Sequence, residues 1–145
     1  MTTSLVFGMR PGELLPSRKV ENGPLVYDVP MEKAIQIVNR STQQNALTYA
    51  HFTESENKDI FRKLSELGEL EIEIFGMYDE LCIASAIRES LMYGLNVRVP
   101  KNYTISRFEG YQTIEEAVKR TLKKLPKYKT SEDGNFFYFT PKRKK

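Results

Sequence analysis

Short apolar runs alternate with longer amphipathic stretches along this chain, and that alternation constrains the fold more than any other feature. Ser4-Leu5-Val6-Phe7 is a brief apolar run halted by Gly8, which predicts a buried strand. Behind Pro30, whose missing N–H is harmless in a first helical turn, Ala34, Ile35, Ile37 and Val38 form a helical stripe that fades near Ser41. Ala46 to Ala50 reads as the next strand. Thr53 and Glu56 have capping-box spacing, and Ile60, Phe61, Leu64 and Leu67 share one face of the helix that follows, until Gly68. Leu70 to Phe75 is a strand ended by Gly76. Ile83, Ala84, Ile87 and Leu91 mark a helix closed by Gly94, and Val97-Arg98-Val99 is a strand before Pro100. Thr113 and Glu116 form a second capping box ahead of Ile114, Ala117, Val118, Leu122 and Leu125, a stripe ended by Pro126. Asp133-Gly134 is a turn, and Phe136 to Phe139 is the last strand.

Strand and helix therefore alternate from end to end. The pattern predicts an α/β fold: three layers, with a mostly parallel five-stranded sheet and helices on both faces. At 145 residues the chain suits one domain, read as 1–140 with a basic tail at 141–145. Residues 10 to 30, with Pro11, Gly12, Pro16, Gly23, Pro24 and Pro30, read as a long irregular connection, and 101 to 112 as irregular too. One strand departs from the pattern. An interior parallel strand should be apolar on both faces, yet Glu71 and Glu73 alternate with Leu70, Ile72 and Ile74. That face is expected to be wet or to meet something polar, either because it lacks a covering helix or because another subunit seals it.

Composition excludes several chemistries. A single cysteine, Cys82, excludes an internal disulfide and a multi-cysteine metal cage, and a single histidine, His51, excludes a multi-histidine site within one chain. No metal and no cofactor are expected, since phosphate-binding glycine fingerprints and Walker-type motifs are missing. No apolar run approaches the roughly 20 residues of a membrane span. No signal peptide is read at the N-terminus, and a cytoplasmic location is expected.

The net charge of +3 hides an asymmetry. Residues 119–145 hold ten basic and two acidic residues, a charge of +8, against 12 basic and 17 acidic residues and −5 for 1–118. A solvated basic end is the plain reading. The sharper one is a surface for nucleic acid or an acidic protein partner. Its candidates are Lys123, Lys124, Lys127, Lys142, Arg143, Lys144 and Lys145, joined by Lys119, Arg120 and Lys129. Tyr128, Phe136, Phe137 and Tyr138 are interleaved with them and available either to stack on bases or to fill the last strand's core.

In open α/β sheets, sites form at the carboxyl ends of strands, which directs attention to Gly8, His51, the segment Gly76 to Cys82, and Pro100. Gly76-Met77-Tyr78-Asp79-Glu80-Leu81-Cys82 joins a strand to a helix and puts the thiol in the helix's first turn. Unpaired N–H groups there favour a thiolate, whereas Asp79 and Glu80 oppose it. The alternative is a buried cysteine acting as a small hydrophobe.

Residues 70–99 resemble the core of the isochorismatase-like cysteine hydrolases, which include nicotinamidases and related amidases. The family carries an apolar strand, then Gly-x-x-Thr-Asp-x-Cys, an Ala-rich helix and Gly-x-x-Val-x-Val. The counterparts here are Ile74-Phe75-Gly76, Asp79-Glu80-Leu81-Cys82, Ala84 and Ala86, and Gly94-Leu95-Asn96-Val97-Arg98-Val99. Leu5 to Arg10 and Leu47 to His51 are similar to the family's first and second strands. The resemblance implies Cys82 as a nucleophile that attacks an amide carbonyl, with backbone N–H groups holding the oxyanion before a thioester is hydrolysed. Gly8, Gly76, Tyr78 and Leu81 would line that pocket. The departures are as informative. Gly8 stands where the family has its Asp base, and no strand is read between the second strand and the cysteine strand to carry the family's Lys, while Lys58 and Lys63 fall on a helix. His51, Asp79 and Glu80 are the candidates for a replacement base.

Three readings follow. The first is a shortened, degenerate member that has become a binding or regulatory protein, a design that suits a viral or accessory role in a host cytoplasm. The second is an active cysteine hydrolase cleaving a small amide or related C–N bond through Cys82. The third is nucleic-acid contact through the basic end. Family members usually self-associate, so a homo-oligomer is expected.

Overall fold

The computed structural model describes residues 2–7, 18–19, 26–27, 31–49, 54–77, 82–105 and 127–142. The described elements run in the order β1 (Thr3–Phe7), β2 (Arg18–Lys19), β3 (Val26–Tyr27), α1 (Met31–Gln43), β4 (Leu47–Tyr49), α2 (Glu54–Glu66), β5 (Glu71–Met77), α3 (Ala84–Met92), β6 (Asn96–Pro100), β7 (Thr104–Ile105), β8 (Tyr128–Glu132) and β9 (Phe136–Pro141). The helix expected at 113–125 and the capping residue Thr53 lie outside the described residues.

The fold is α/β around a mixed sheet of order β4-β1-β5-β6-β9-β8, with β7 pairing beyond β6 on β5. β4, β1, β5 and β6 are parallel, as the alternation predicts. β9 is antiparallel to β6, and β8 is antiparallel to β9, so the sheet ends in a hairpin. This corrects the five-stranded expectation: β8 and the two-residue β7 join the five strands read from sequence. The connection read as irregular also holds a two-residue ribbon, with Arg18 opposite Tyr27 and Lys19 opposite Val26. β9 extends through Pro141, past the boundary placed at 140, and Lys142 N–H donates to the Lys127 carbonyl at 2.8 Å. Pro141 stands opposite Tyr128 at a position that needs no N–H from it.

Side-chain alternation sorts the sheet into two unlike faces. Leu5, Phe7, Ile72, Ile74, Val97, Val99 and Phe139 lie on one face, where they form a single buried cluster with Phe61 and Leu64 of α2 and Ala84, Ala86, Ile87 and Leu91 of α3. Val6, Phe75, Ser4, Glu73 and Arg98 belong to the other face. There Arg40, in the last turn of α1, reaches down to Glu73.

Of the two expectations for this strand, the face at Glu73 meets something polar, and an α1 side chain rather than water covers it. Glu73 is 0% exposed, and the charges that neutralise it come from its own chain. Arg40 grips it bidentately, Nη2 to Oε1 at 2.6 Å and Nε to Oε2 at 3.1 Å. Arg98 Nε donates to Oε1 at 3.2 Å, and Ser4 Oγ to Oε2 at 3.3 Å. Arg98 also pairs with Glu71 at 3.4 Å, so the cluster balances two cations with two carboxylates. Aromatic rings seal it: the Arg40 guanidinium lies 4.9 Å from the Tyr103 ring centroid and 5.6 Å from that of Phe136, and Arg98 lies 4.7 Å from Phe136.

Candidate functional site

The chain turns left from β1 to β4 and right from β5 to β6, so the sheet has its topological switch point between β1 and β5. In open α/β sheets, ligands commonly bind outside the carboxyl ends of the strands at such a point. Gly8 follows β1 at this point, and the segment leading to Cys82 follows β5.

Gly76 sets how closely β5 approaches β1. The sequence pattern reads it as a strand terminator, but it lies inside β5, opposite Phe7 on one side and Thr104 on the other. Its φ is +114°, and a Cβ there would stand 2.2 Å from the Phe7 carbonyl oxygen and 2.8 Å from the Phe7 nitrogen. No side chain fits without parting β1 from β5, so glycine is required by both conformation and space. The Gly76 N–H donates to the Tyr103 carbonyl at 3.0 Å. Tyr103 is itself held by the turn from Pro100, where its N–H bonds the Pro100 carbonyl at 3.3 Å and Asn102 adopts φ +71°. The Tyr103 ring that covers Arg40 thus belongs to the residue that fixes the end of β5.

Cys82 sits in a π-helical turn with Ile83, directly ahead of α3. It is half-buried and packs against the apolar cluster that contains Ile83 and Ala84. Of the other residues assigned to this site, Gly8, His51, Tyr78, Asp79, Glu80 and Leu81 lie outside the described residues. Tyr49, at the end of β4, stacks on Phe7 with centroids 5.5 Å apart, and burial pushes its phenol pKa up. Lys63 is exposed on α2. Among the described residues, no three His, Cys, Asp or Glu side chains group to hold a metal ion. No helix there is long and apolar enough to cross a membrane.

The basic end is placed in part. Lys127 and Lys142 are exposed at the open end of the β8–β9 hairpin, while Lys123, Lys124, Arg143, Lys144 and Lys145 lie outside the described residues. The interleaved aromatics have other engagements. Tyr128 and Phe137 pack against the apolar cluster, and Phe136 covers Arg40 and Arg98. The Tyr138 hydroxyl donates to Asp133 Oδ2 at 2.6 Å. Asp133 Oδ1 accepts the N–H groups of Asn135 and Phe136, both at 2.8 Å, which closes the hairpin turn. The hydroxyl and these two amides hold the Asp133 carboxyl below its ordinary pKa, and the same hydrogen bond raises the Tyr138 phenol.

The Arg40–Glu73–Arg98 cluster is the feature that sequence reasoning missed. Alternation marks Glu73 as facing away from the apolar side, but nothing local names partners 33 residues upstream and 25 downstream. No family model matches this chain, and no curated protein or solved structure matches it either.

Proposed function

We propose that this chain is a non-catalytic binding or regulatory protein on an isochorismatase-like scaffold, taking a small ligand at the switch point between β1 and β5. The observation that carries this reading is the path from β4 to β5. The chain leaves β4, forms α2 and enters β5, and the described residues between them include no strand on which the hydrolase lysine would sit. Gly8 has no group with which to move a proton at the position of the hydrolase base. Cys82 is half-buried against the apolar cluster. The strand order and the close approach of Gly76 to Phe7 support this reading.

The test is to incubate the protein with nicotinamide and a panel of small primary amides while following ammonia release and the amide resonances of Phe7, Gly76 and Cys82. Perturbed resonances without ammonia are expected. The Cys82 thiol should react with iodoacetamide at neutral pH no faster than an ordinary cysteine. Ammonia release that disappears in Cys82→Ala overturns the proposal in favour of an active cysteine hydrolase.

A further inference from the structure

We infer that Arg40 and Tyr103 form a clasp that positions the carboxyl end of β5, so that the buried ion cluster sets the strand end beside the switch point. The clasp is a circuit that starts and ends on β5. Glu73 is gripped by Arg40 from α1, at 2.6 and 3.1 Å. The Arg40 guanidinium lies over the Tyr103 ring, 4.9 Å from its centroid. The Tyr103 carbonyl then accepts the N–H of Gly76, farther along the same strand, at 3.0 Å. The inference concerns the strand end itself and does not depend on which ligand, if any, meets it.

The register of the sheet shows why this end needs a separate hold. β6 pairs with β5 at Glu71, Ile72 and Glu73, opposite Asn96, Val97 and Arg98. Pairing resumes at Gly76 and Met77, opposite Thr104 and Ile105 of β7. The chain thus spends residues 99–103 where β5 spends only 74 and 75. In that interval it follows β9 instead. Val99 stands opposite Phe137 and Pro100 opposite Phe136, and Lys101 N–H donates to the Asn135 carbonyl at 2.9 Å. Bonded and non-bonded pairs alternate along an antiparallel ladder, so the bond at Lys101 turns the backbone of Val99 to β9 and leaves that of Arg98 and Pro100 facing β5. Pro100 has no N–H to offer β5, and the ladder between β5 and β6 ends before it.

Tyr103 brings the chain back to β5. Its N–H donates to the Pro100 carbonyl at 3.3 Å, and Asn102 between them takes the left-handed conformation, φ +71°, which asparagine tolerates. Among the described residues β7 pairs only with β5, and over two residues. So short a ladder has little hold of its own, and one side-chain contact of cation–π strength weighs heavily in it. Arg40 is placed to supply that contact from a fixed point. It is bonded to Glu73, lies 5.9 Å from the Phe75 ring centroid on the same strand, and meets the returning chain at Tyr103.

The experiment is amide hydrogen exchange by NMR on the full chain, at rising urea below the unfolding transition, and on Tyr103→Phe and Tyr103→Leu. In the unsubstituted chain, Gly76 should exchange through a local opening with a weaker urea dependence than Ile72 in the middle of β5. That arm needs no variant to fold. Both substitutions keep the backbone carbonyl that Gly76 uses. Tyr103→Leu loses the π face and should speed exchange at Gly76 by about two- to thirty-fold, the equilibrium equivalent of a cation–π contact. Tyr103→Phe keeps the ring and should leave the rate unchanged. Gly76 exchange that shares the urea dependence of Ile72 overturns the inference, because the strand end then opens only with the whole sheet. So does a Gly76 rate that Tyr103→Leu leaves unchanged, or one that Tyr103→Phe raises as much as Tyr103→Leu does.

Discussion

β5 gives Ile72 and Ile74 to one face of the sheet and Glu73 to the other, and all three side chains are fully buried. The two faces reach the same dryness by different physics. On the apolar face, stability grows with area removed from water, and many side chains of similar shape would serve. On the charged face, a carboxylate is desolvated at a cost of several kcal/mol, offset only by well-aligned partners. Arg40 supplies a bidentate grip and Arg98 a third bond, so the second face depends on a few contacts where the first depends on many.

The largest expected effect comes from breaking that contrast at its centre. Glu73→Ala leaves two guanidiniums with a lost counter-charge and should cost about 3–5 kcal/mol in urea denaturation. Ile74→Ala on the apolar face should cost about 2–5 kcal/mol, a similar loss. The faces then separate in their rescue. Adding Arg40→Met and Arg98→Leu to a Glu73→Leu chain should recover most of the stability, because the buried charges leave together. No second truncation rescues Ile74→Ala. A triple variant no more stable than Glu73→Ala would show that packing, not charge, governs the second face.

Gly76→Ala tests where the two faces meet at the end of the strand. The added Cβ collides with the Phe7 backbone, and the φ of +114° is strained for alanine. A loss of at least about 1–3 kcal/mol is expected, with changed amide shifts at Phe7 and Thr104. Farther out, the Lys101–Glu132 pair spans 3.2 Å at the surface. Glu132→Ala should change stability by less than about 1 kcal/mol, and high salt should erase the difference.

The smallest effect is read in titrations. Tyr138→Phe removes the main cause of the lowered Asp133 pKa, so the carboxyl should titrate closer to its ordinary value by NMR. Because the Asp133 pKa is lowered on folding, its contribution to the hairpin is present above the ordinary aspartate pKa and fades as pH falls through the folded value. The Tyr138 pKa is raised, so its contribution is present below the ordinary phenol pKa and fades as pH rises through the folded one. The hairpin should therefore fray first in acid and again in strong alkali, and the alkaline loss should vanish in Tyr138→Phe.

Much of this architecture is legible residue by residue. Ile72, Ile74, Phe61, Leu64, Ile87 and Leu91 repeat at the periods of strand and helix, and each lies in the buried cluster. β8 escaped notice for a physical reason. Tyr128-Lys129-Thr130-Ser131-Glu132 has one aromatic and no aliphatic residue, since an edge strand has little core to fill. The reversed direction of β9 was hidden because alternation along the chain says nothing about where the last strand inserts. Gly76 read as an ending because glycine commonly ends strands; its collision with Phe7 needs the neighbouring strand in place before it can be seen. Around the candidate site, the order of strand β5, helix α3 and strand β6 was legible. The ion cluster behind them was not, since its members are joined only by the fold.

The burial of Glu73 also acts as a lock on assembly order. A one-residue slip of β5 against β1 and β6 rotates Glu73 toward the apolar cluster that holds Phe61, Ile87 and Val97, away from Arg40 and Arg98. Without Arg40 from upstream and Arg98 from downstream, closing over the ionised carboxylate carries an uncompensated desolvation cost. The misregistered sheet and the half-assembled one are thereby rejected by a single side chain, so Glu73 proofreads the fold as well as contributing to it.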